Sequence, residues 1–463
     1  MNEMSLAQIA AACGGTYIGT EAEKTVSVTG VVIDSRQVEP GNLYIPIRGE
    51  RVDGHKFIPD VFAKGAAAVL SEEKLKQPAG PYILVDSSEQ ALKDIAEYYR
   101  STLPIRIVGI TGSVGKTSTK EMIAAVLSRK YCVLKTEGNL NNEIGLPLTI
   151  LKIREEHEVA VIEMGISEFG EMHRLAKVAR PDVCVLTNIG QCHLDQLKTR
   201  DGILRAKSEI FDYLKPDASI ILNGNDDKLS TIEEVKGITP IRYFVEDGTA
   251  QPQNQEYFVR ADRIENRGLK GMEADLHFPD RTCSVHEPIP GRHNIYNACA
   301  AACVGHVLGL TEDEICAGIA SAKTIAGRTN LIESGGIMVI DDCYNANPVS
   351  MKASLDVLSL AEGRKIAVLG DMGELGENER QLHREVGAYA AQKGIDFVYS
   401  TGELAKELIQ EATAGCKALH FESRDTLIQA LLDTVQEGDT VLVKASHFME
   451  FPQVVSALLN RSR

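Results

Sequence analysis

The segment Gly109-Ile-Thr-Gly-Ser-Val-Gly-Lys-Thr-Ser118 lies between an apolar run, Ile105 to Thr111, and a helical pattern, Thr117 to Ser128. In a strand, glycine-rich turn and helix of this kind, backbone N–H groups and the positive helix end surround a phosphate. Lys116 would neutralise the β- and γ-phosphates, and Thr117 would bind Mg²⁺. The predicted nucleotide-binding residues of this loop are Gly112, Ser113, Val114, Gly115, Lys116, Thr117 and Ser118.

This phosphate loop departs from the strict GxxxxGK[ST] pattern, which requires glycine where the chain has Ile110. The form present is TGxxGK[ST]. A glycine-rich turn that binds no ligand is the alternative. A nucleotide site by itself also fits a switch, a kinase or a ligase, so other segments are needed to choose among them.

Two apolar strands are predicted to end at the same sheet edge as the phosphate loop. Val159 to Glu163 places Glu163 there as a candidate Mg²⁺ ligand, and Val183 to Thr187 leads to His193. A solvated glutamate is the alternative for Glu163. A structural histidine is the alternative for His193, since Mg²⁺ prefers oxygen ligands.

Farther along, Asn294 and Asn297 share one helix face. Their amides would bind adenine or ribose. The alternative is that they simply form a polar helix start.

Strands and helices alternate along the whole chain, which predicts an α/β protein with mostly parallel sheets. Its length suggests three domains. We predict a small α/β N-terminal domain (1–103), a central phosphate-loop ATPase domain (104–325) and a Rossmann-like C-terminal domain (326–463). The segment Glu246 to Glu287, which includes Gln251 to Gln255, is predicted to be an antiparallel excursion or a loop.

The bulk composition excludes several classes of protein. With 65 acidic and 49 basic residues, the chain is unlike a general nucleic-acid or membrane-surface binder, which needs basic patches. No run approaches the roughly 20 apolar residues of a membrane span. The start of the chain lacks the pattern of a secretory signal. The ten cysteines include no CxxC pair, so we expect free thiols and a cytoplasmic location.

The ordered set of motifs resembles the Mur ligase family over essentially the whole chain. It comprises TGSVGKTS, the strand-end Glu163, His193-Leu-Asp195, Gly291-Arg-His-Asn-Ile-Tyr-Asn-Ala298 and Gly327-Arg328. The resemblance implies amide-bond formation driven by ATP with Mg²⁺. A substrate carboxylate attacks the γ-phosphate to give an acyl phosphate, which an amine then attacks. By this resemblance Lys116, Glu163 and His193 are catalytic, and Arg328 and Asp342 contact the nucleotide; a solvated linker arginine is the alternative for Arg328.

Asp34-Ser-Arg36 and Asp53-Gly-His-Lys-Phe57 resemble the N-terminal UDP-binding domain that the third and fourth muropeptide ligases of this family share. Thr136 to Pro147, Asp341 to Pro348 and Leu369 to Gly376 resemble segments of the fourth of these ligases, which joins D-alanyl-D-alanine to UDP-N-acetylmuramoyl-tripeptide. The implied binding residues for the UDP-muropeptide are Ser35, Arg36, Asp53, His55, Thr136, Asn139 and Asn142. The residues implied to bind the acceptor are Tyr344, Asn345 and Asn347. They would reach it when the C-terminal domain closes. A turn with an ion pair is the alternative for Ser35 and Arg36.

Two alternatives to this function stay open. The first is the third muropeptide ligase of the family, which adds a diamino acid instead of D-alanyl-D-alanine. That enzyme usually carries a DNPR-type motif, which is not found in this sequence. The second is a non-catalytic phosphate-loop protein that binds nucleotide for regulation. The resemblance also predicts that Lys207 is carbamylated and helps to hold a second Mg²⁺. The alternative is an ordinary lysine that pairs with Glu209 or a phosphate.

Overall fold

The computed structural model describes residues 1–49, 51–246, 248 and 256–461. Its main sheets have five, nine and six strands and follow one another along the chain. Most of their strand pairs are parallel and are connected through helices, so the predicted α/β fold is confirmed. Among the described residues, none of the helices has the length and apolar content that a membrane crossing requires.

The N-terminal part contains a five-stranded sheet of order β2-β7-β6-β5-β4 and a two-stranded pair, β1-β3. Helix α3 ends just before Leu103, which takes an extended conformation because Pro104 disfavours a helical residue before it. The strands are β1 Met4–Ser5, β2 Thr16–Ile18, β3 Ser27–Val28, β4 Gly30–Val32, β5 Asn42–Tyr44, β6 Ala68–Ser71 and β7 Tyr82–Leu84, and the helices are α1 Leu6–Ala12, α2 Ile58–Ala63 and α3 Ser88–Thr102.

The central part is built on the nine-stranded sheet, of order β16-β15-β14-β13-β12-β11-β8-β10-β9. Its strands are β8 Arg106–Thr111, β9 Val133–Lys135, β10 Val159–Glu163, β11 Val183–Leu186, β12 Ser219–Asn223, β13 Ile241–Val245, β14 Val259–Asn266, β15 Met272–His277 and β16 Thr282–Glu287. Its helices are α4 Lys116–Leu127, α5 Gly145–Ile150, α6 Glu171–Ala179, α7 Leu194–Leu197, α8 Arg200–Ser208, α9 His293–Val307 and α10 Glu312–Ala320.

The phosphate-loop strand β8 lies between β10 and β11, and all three are parallel. They are covered on both faces, which explains their continuous apolar character. Strands β14 to β16 pair antiparallel, so the predicted excursion is confirmed for these strands. The stretch Gln251 to Gln255 lies outside the described residues.

The C-terminal sheet has the order β17-β18-β22-β19-β20-β21, and only its edge strand β17 is antiparallel. Helices α11 to α13 cover one face, and α14 and α15 cover the other, as in a doubly wound fold. The strands are β17 Asn330–Ser334, β18 Ile337–Asp341, β19 Lys365–Leu369, β20 Phe397–Thr401, β21 Lys417–Phe421 and β22 Thr440–Lys444, and the helices are α11 Pro348–Ser359, α12 Glu379–Gln392, α13 Ala405–Ala412, α14 Arg424–Thr434 and α15 Pro452–Leu459.

The N-terminal and central parts share one apolar core. The buried side chains of Leu92, Ile95 and Tyr99 on α3 belong to the same cluster as Ile150 and Ile153 of the central part. The boundary predicted between residues 103 and 104 therefore stays a prediction. All ten cysteines carry free thiols, five of them buried.

Candidate active site between the central and C-terminal domains

The phosphate loop has the backbone conformation that its glycines permit. Gly112 has a φ of 154° and Gly115 one of 82°, and Gly115 is the N-cap of α4. A Cβ on Gly112 would come within 1.9 Å of the Thr187 hydroxyl oxygen, so only glycine fits there. The first turn of α4 thus carries Lys116 and Thr117 at its positive end.

A second segment, Thr187 to Cys192, holds the phosphate loop from the side. The Asn188 carboxamide accepts from the Val114 N–H at 2.9 Å and donates to the Val114 carbonyl at 3.0 Å. The Ser113 hydroxyl accepts from the Gly190 N–H at 2.9 Å. These hydrogen bonds hold the loop against the segment that follows β11. The sequence analysis selected only His193 after this strand and did not identify Asn188 or Gly190.

Glu163 is not the solvated strand-end residue that the sequence left as an alternative. It is 2% exposed, and its Oε1 accepts from the Thr117 hydroxyl at 3.2 Å and from the Asn141 amide at 2.8 Å. Its backbone N–H donates to the hydroxyl of Thr136 at 2.9 Å. Glu163 Oε2 is buried without a hydrogen-bond partner; Lys120 Nζ lies 3.9 Å away.

This arrangement fits a hard cation. A buried carboxylate oxygen with unused lone pairs and a threonine hydroxyl are oxygen donors of the kind that Mg²⁺ prefers. Mg²⁺ usually takes one or two protein carboxylates and completes its shell with phosphates and water. The described residues contain no group of three or more His, Cys, Asp or Glu side chains that could hold a metal ion by themselves.

Two lysines lie beside the phosphate loop. Lys116 Nζ donates to the Gly112 carbonyl at 2.9 Å. Lys207 on α8 is 1% exposed, and burial together with the nearby Lys116 charge lowers its pKa to about 7. Glu209, the partner considered in the sequence analysis, accepts instead from the backbone N–H groups of Gly170 and His173. Lys207 is therefore not a solvated, ion-paired lysine.

His193 faces the C-terminal domain. Its Nδ1 lies 2.7 Å from Oε2 of Glu374, in the loop after β19. Glu374 lies in the quoted segment Leu369 to Gly376, yet the sequence analysis did not select it. The contact lowers the pKa of the Glu374 carboxyl.

The linker residue Arg328 connects the two domains. Its guanidinium donates to the Thr117 hydroxyl at 3.4 Å, and it stacks over the Tyr344 ring at 4.1 Å from the ring centroid. Burial raises the pKa of the Tyr344 hydroxyl, and the nearby Asn139 of the central domain acts in the opposite direction. Arg328, Tyr344 and Asn139 are thus brought together at the phosphate loop.

Several other predicted residues are engaged in structural contacts. Asn297 donates to Asn294 Oδ1 at 2.9 Å, and Asn294 donates to the Pro290 carbonyl at 2.9 Å. Asp342 forms a buried ion pair with Lys444 at 2.6 Å and accepts from the Thr329 N–H at 3.0 Å, which fixes the linker.

The remaining asparagines make local contacts. Asn347 caps α11 by accepting from the Ser350 N–H at 2.9 Å, and Asn142 accepts from the Gly145 N–H at 2.9 Å at the start of α5. Asn345 is exposed, and its carbonyl accepts from Lys444.

The N-terminal candidates are found in surface turns. Arg36, with a side chain 86% exposed, pairs with Asp34 at 2.7 Å, which is the turn with an ion pair that the sequence left open. The carbonyl of Ser35, between them, accepts from Lys64. His55 Nδ1 lies 2.7 Å from Asp53 Oδ1, and its Nε2 accepts from the Glu72 N–H at 3.2 Å.

Comparison with known proteins gives consistent matches along the chain. The family models Mur ligase family, catalytic domain; Mur ligase middle domain; and Mur ligase, glutamate ligase domain match residues 27–100, 110–305 and 327–447. A UDP-N-acetylmuramoyl-tripeptide--D-alanyl-D-alanine ligase from Bacillus subtilis is 37% identical over 99% of both chains.

Solved structures agree with the sequence matches. MurF from Acinetobacter baumannii superposes with a TM-score of 0.89, at 31% identity, over 99% of both chains. MurF ligase from Thermotoga maritima in complex with ADP gives a TM-score of 0.81 at 30% identity, covering 93% of this chain and 97% of that one.

Proposed function

The chain belongs to the Mur ligase family, and we propose that it joins D-alanyl-D-alanine to UDP-N-acetylmuramoyl-tripeptide with hydrolysis of ATP to ADP. The relative from Bacillus subtilis is named for this reaction and aligns over nearly its full length. The observation that carries the proposal is the buried Glu163 carboxylate, which accepts a hydrogen bond from Thr117 of the phosphate loop, the same hydroxyl to which Arg328 of the linker donates.

The chemistry requires activation of a carboxylate, which is a poor electrophile. The tripeptide carboxylate attacks the γ-phosphorus of ATP, ADP leaves, and an acyl phosphate forms. The neutral amine of the dipeptide then attacks the acyl carbon, and inorganic phosphate leaves as the amide forms. In both steps the protein's contribution is to position the reactants and to neutralise their charge.

The residues of the site match these demands. Lys116 and the N-terminus of α4 would offset the repulsion between the anionic carboxylate and the phosphate. Bound Mg²⁺ ions would neutralise further phosphate charge. We propose Thr117, Glu163 and His193 as metal ligands, together with a carbamylated Lys207 that would help to hold a second Mg²⁺. Arg328 would contact the phosphates, since its guanidinium lies at the Thr117 hydroxyl.

We propose that the acceptor binds on the C-terminal side of the cleft, near Tyr344, and that the muropeptide extends towards the N-terminal turns around Arg36 and His55. The exposed Arg36 guanidinium would have to exchange Asp34 for a diphosphate, which is feasible because surface ion pairs contribute little. Since ATP and UDP-linked sugars are cytoplasmic metabolites, we propose a cytoplasmic location.

The test is product mass spectrometry with a panel of UDP-muropeptides and of acceptors. We expect the mass of a D-alanyl-D-alanine adduct, with ADP and phosphate formed in equal amounts. Incorporation of lysine or diaminopimelate, with the dipeptide inert, would assign the chain to the third ligase. A rate of ADP release that does not depend on the muropeptide or on the dipeptide would support the alternative of a non-catalytic, regulatory nucleotide-binding protein.

A further inference from the structure

The C-terminal domain contributes one carboxylate to the edge of the central sheet. Glu374 Oε2 lies 2.7 Å from Nδ1 of His193. Both residues have positive φ angles, 61° for Glu374 and 50° for His193, which are uncommon for residues other than glycine, although histidine adopts them more often than most. Two residues on, a Cβ at Gly376 would lie 3.2 Å from Asp195 Oδ1. The loop 374–376 therefore contacts the start of α7 at two points, His193 and Asp195.

A carboxylate on one imidazole nitrogen determines the state of the other. When Nδ1–H donates to a carboxylate, the ring is fixed in orientation and Nε2 keeps its lone pair. We propose that Glu374 is a positioning residue that the C-terminal domain supplies to His193, so that Nε2 becomes a competent Mg²⁺ ligand only when the two domains are docked. This inference rests on the proposed function, which makes His193 a metal ligand.

The competing explanation is that the contact between Glu374 and His193 is a surface ion pair that only helps to hold the two domains together. The Glu374 side chain is 64% exposed. Exposed ion pairs change an equilibrium about fivefold or less. Loss of a carboxylate that orients a metal-binding histidine instead costs about 10- to 100-fold in metal affinity or activity. The size of the effect on metal binding thus separates the two explanations.

The experiment measures binding of Mn²⁺, as a stand-in for Mg²⁺, by electron paramagnetic resonance of the free ion. The full-length protein is saturated with a non-hydrolysable ATP analogue and the UDP-muropeptide. We compare Glu374→Ala, Glu374→Gln and the control Glu377→Gln, an exposed glutamate three residues away. We expect Glu374→Ala to weaken Mn²⁺ binding by about 10- to 100-fold, Glu374→Gln to weaken it less, and the control to match the parent.

A double-mutant cycle with His193→Ala completes the test. If Glu374 acts through His193, removing it in the His193→Ala background should change Mn²⁺ affinity less than twofold. The proposal would be overturned if the two substitutions lowered Mn²⁺ affinity by independent factors that multiply in the double variant. It would also be overturned if Glu374→Ala bound Mn²⁺ as tightly as the control. If His193→Ala alone leaves Mn²⁺ binding and turnover intact, the metal-ligand role of His193 fails as well. Adduct formation in the parent protein reports on the proposed function separately.

Discussion

The Thr119 hydroxyl donates to Asn297 Oδ1 over 2.8 Å and so joins two helices that are 178 residues apart in sequence. Thr119 lies on α4, directly behind the phosphate loop, and Asn297 lies on α9. Both side chains are buried. The Asn297 amide therefore holds the helix that carries Lys116 and Thr117, and its contact with adenine or ribose stays a prediction.

Replacement of Asn297 by alanine should lower the free energy of unfolding by about 1–3 kcal/mol, because the Thr119 hydroxyl and Asn294 Oδ1 lose a buried partner. Urea unfolding would measure the loss. The double variant with Thr119→Val should be less destabilised than the sum of the two single variants, since one contact is shared. Unchanged stability with a raised KM for ATP would show that Asn297 acts in nucleotide binding and not in holding the helices together.

Lys116→Ala should abolish ligation and leave the fold intact. In the fold the ammonium donates a hydrogen bond to the Gly112 carbonyl of the same loop, so its removal costs little stability. Catalysis, in contrast, loses the fixed cation beside the transferred phosphoryl group. We expect a fall in kcat of several orders of magnitude with a Tm close to that of the parent. Lys177→Ala, on the surface helix α6, is the control. Near-full turnover of Lys116→Ala would show that this loop is not the catalytic ATP site.

The sequence predicted the parts of the site that follow from local pattern. The strand at Val159 to Glu163 has the predicted bounds, because a continuous apolar run between turns defines a buried parallel strand. The phosphate loop was recognisable since its glycines and lysine are adjacent in sequence. Glu163 was placed at the correct edge by the strand rule alone.

Contacts between distant segments could not be predicted in the same way. The bond between Asn188 and Val114 and the contact between His193 and Glu374 depend on how loops 74 and 181 residues apart meet. Capping by Asn347 and Asn142 was equally hidden, because asparagine suits a helix cap as well as a ligand. Sequence pattern found the segments, and tertiary packing decided which of their side chains face the cleft.

Tyr344→Ala should raise the KM for D-alanyl-D-alanine and lower kcat, while Tyr344→Phe should retain most activity. The ring supports Arg328 through a cation–π contact at 4.1 Å, which phenylalanine preserves. The phenylalanine variant loses only the hydroxyl group, which lies near Asn139. Steady-state kinetics with varied acceptor would test this. Equal impairment of both variants would show that the hydroxyl, and not the ring, matters.

The last prediction concerns Lys207, whose side chain is 1% exposed and whose pKa burial lowers to about 7. A buried ammonium near Lys116 is unfavourable, so the neutral amine is accessible at physiological pH. That amine can attack CO₂ to form an N–C bond and release one proton, which gives a carbamate. The modification replaces a cation with an anionic oxygen ligand suited to Mg²⁺. With ¹³C-labelled bicarbonate, we expect a carbamate resonance in the parent protein that is absent from Lys207→Ala.

Chemical rescue provides the functional half of this test. Lys207→Ala should be nearly inactive and should regain activity with millimolar acetate or formate, because a short carboxylate fits the vacated volume and restores the oxygen ligand. Lys120→Ala is the matched control, since Lys120 is equally buried but donates to the Thr136 carbonyl at 2.7 Å. Carboxylates should not rescue that variant, because an anion cannot replace a donor to a carbonyl. Normal activity of Lys207→Ala, or rescue of both variants alike, would rule out the carbamate and leave Lys207 as a buried structural amine.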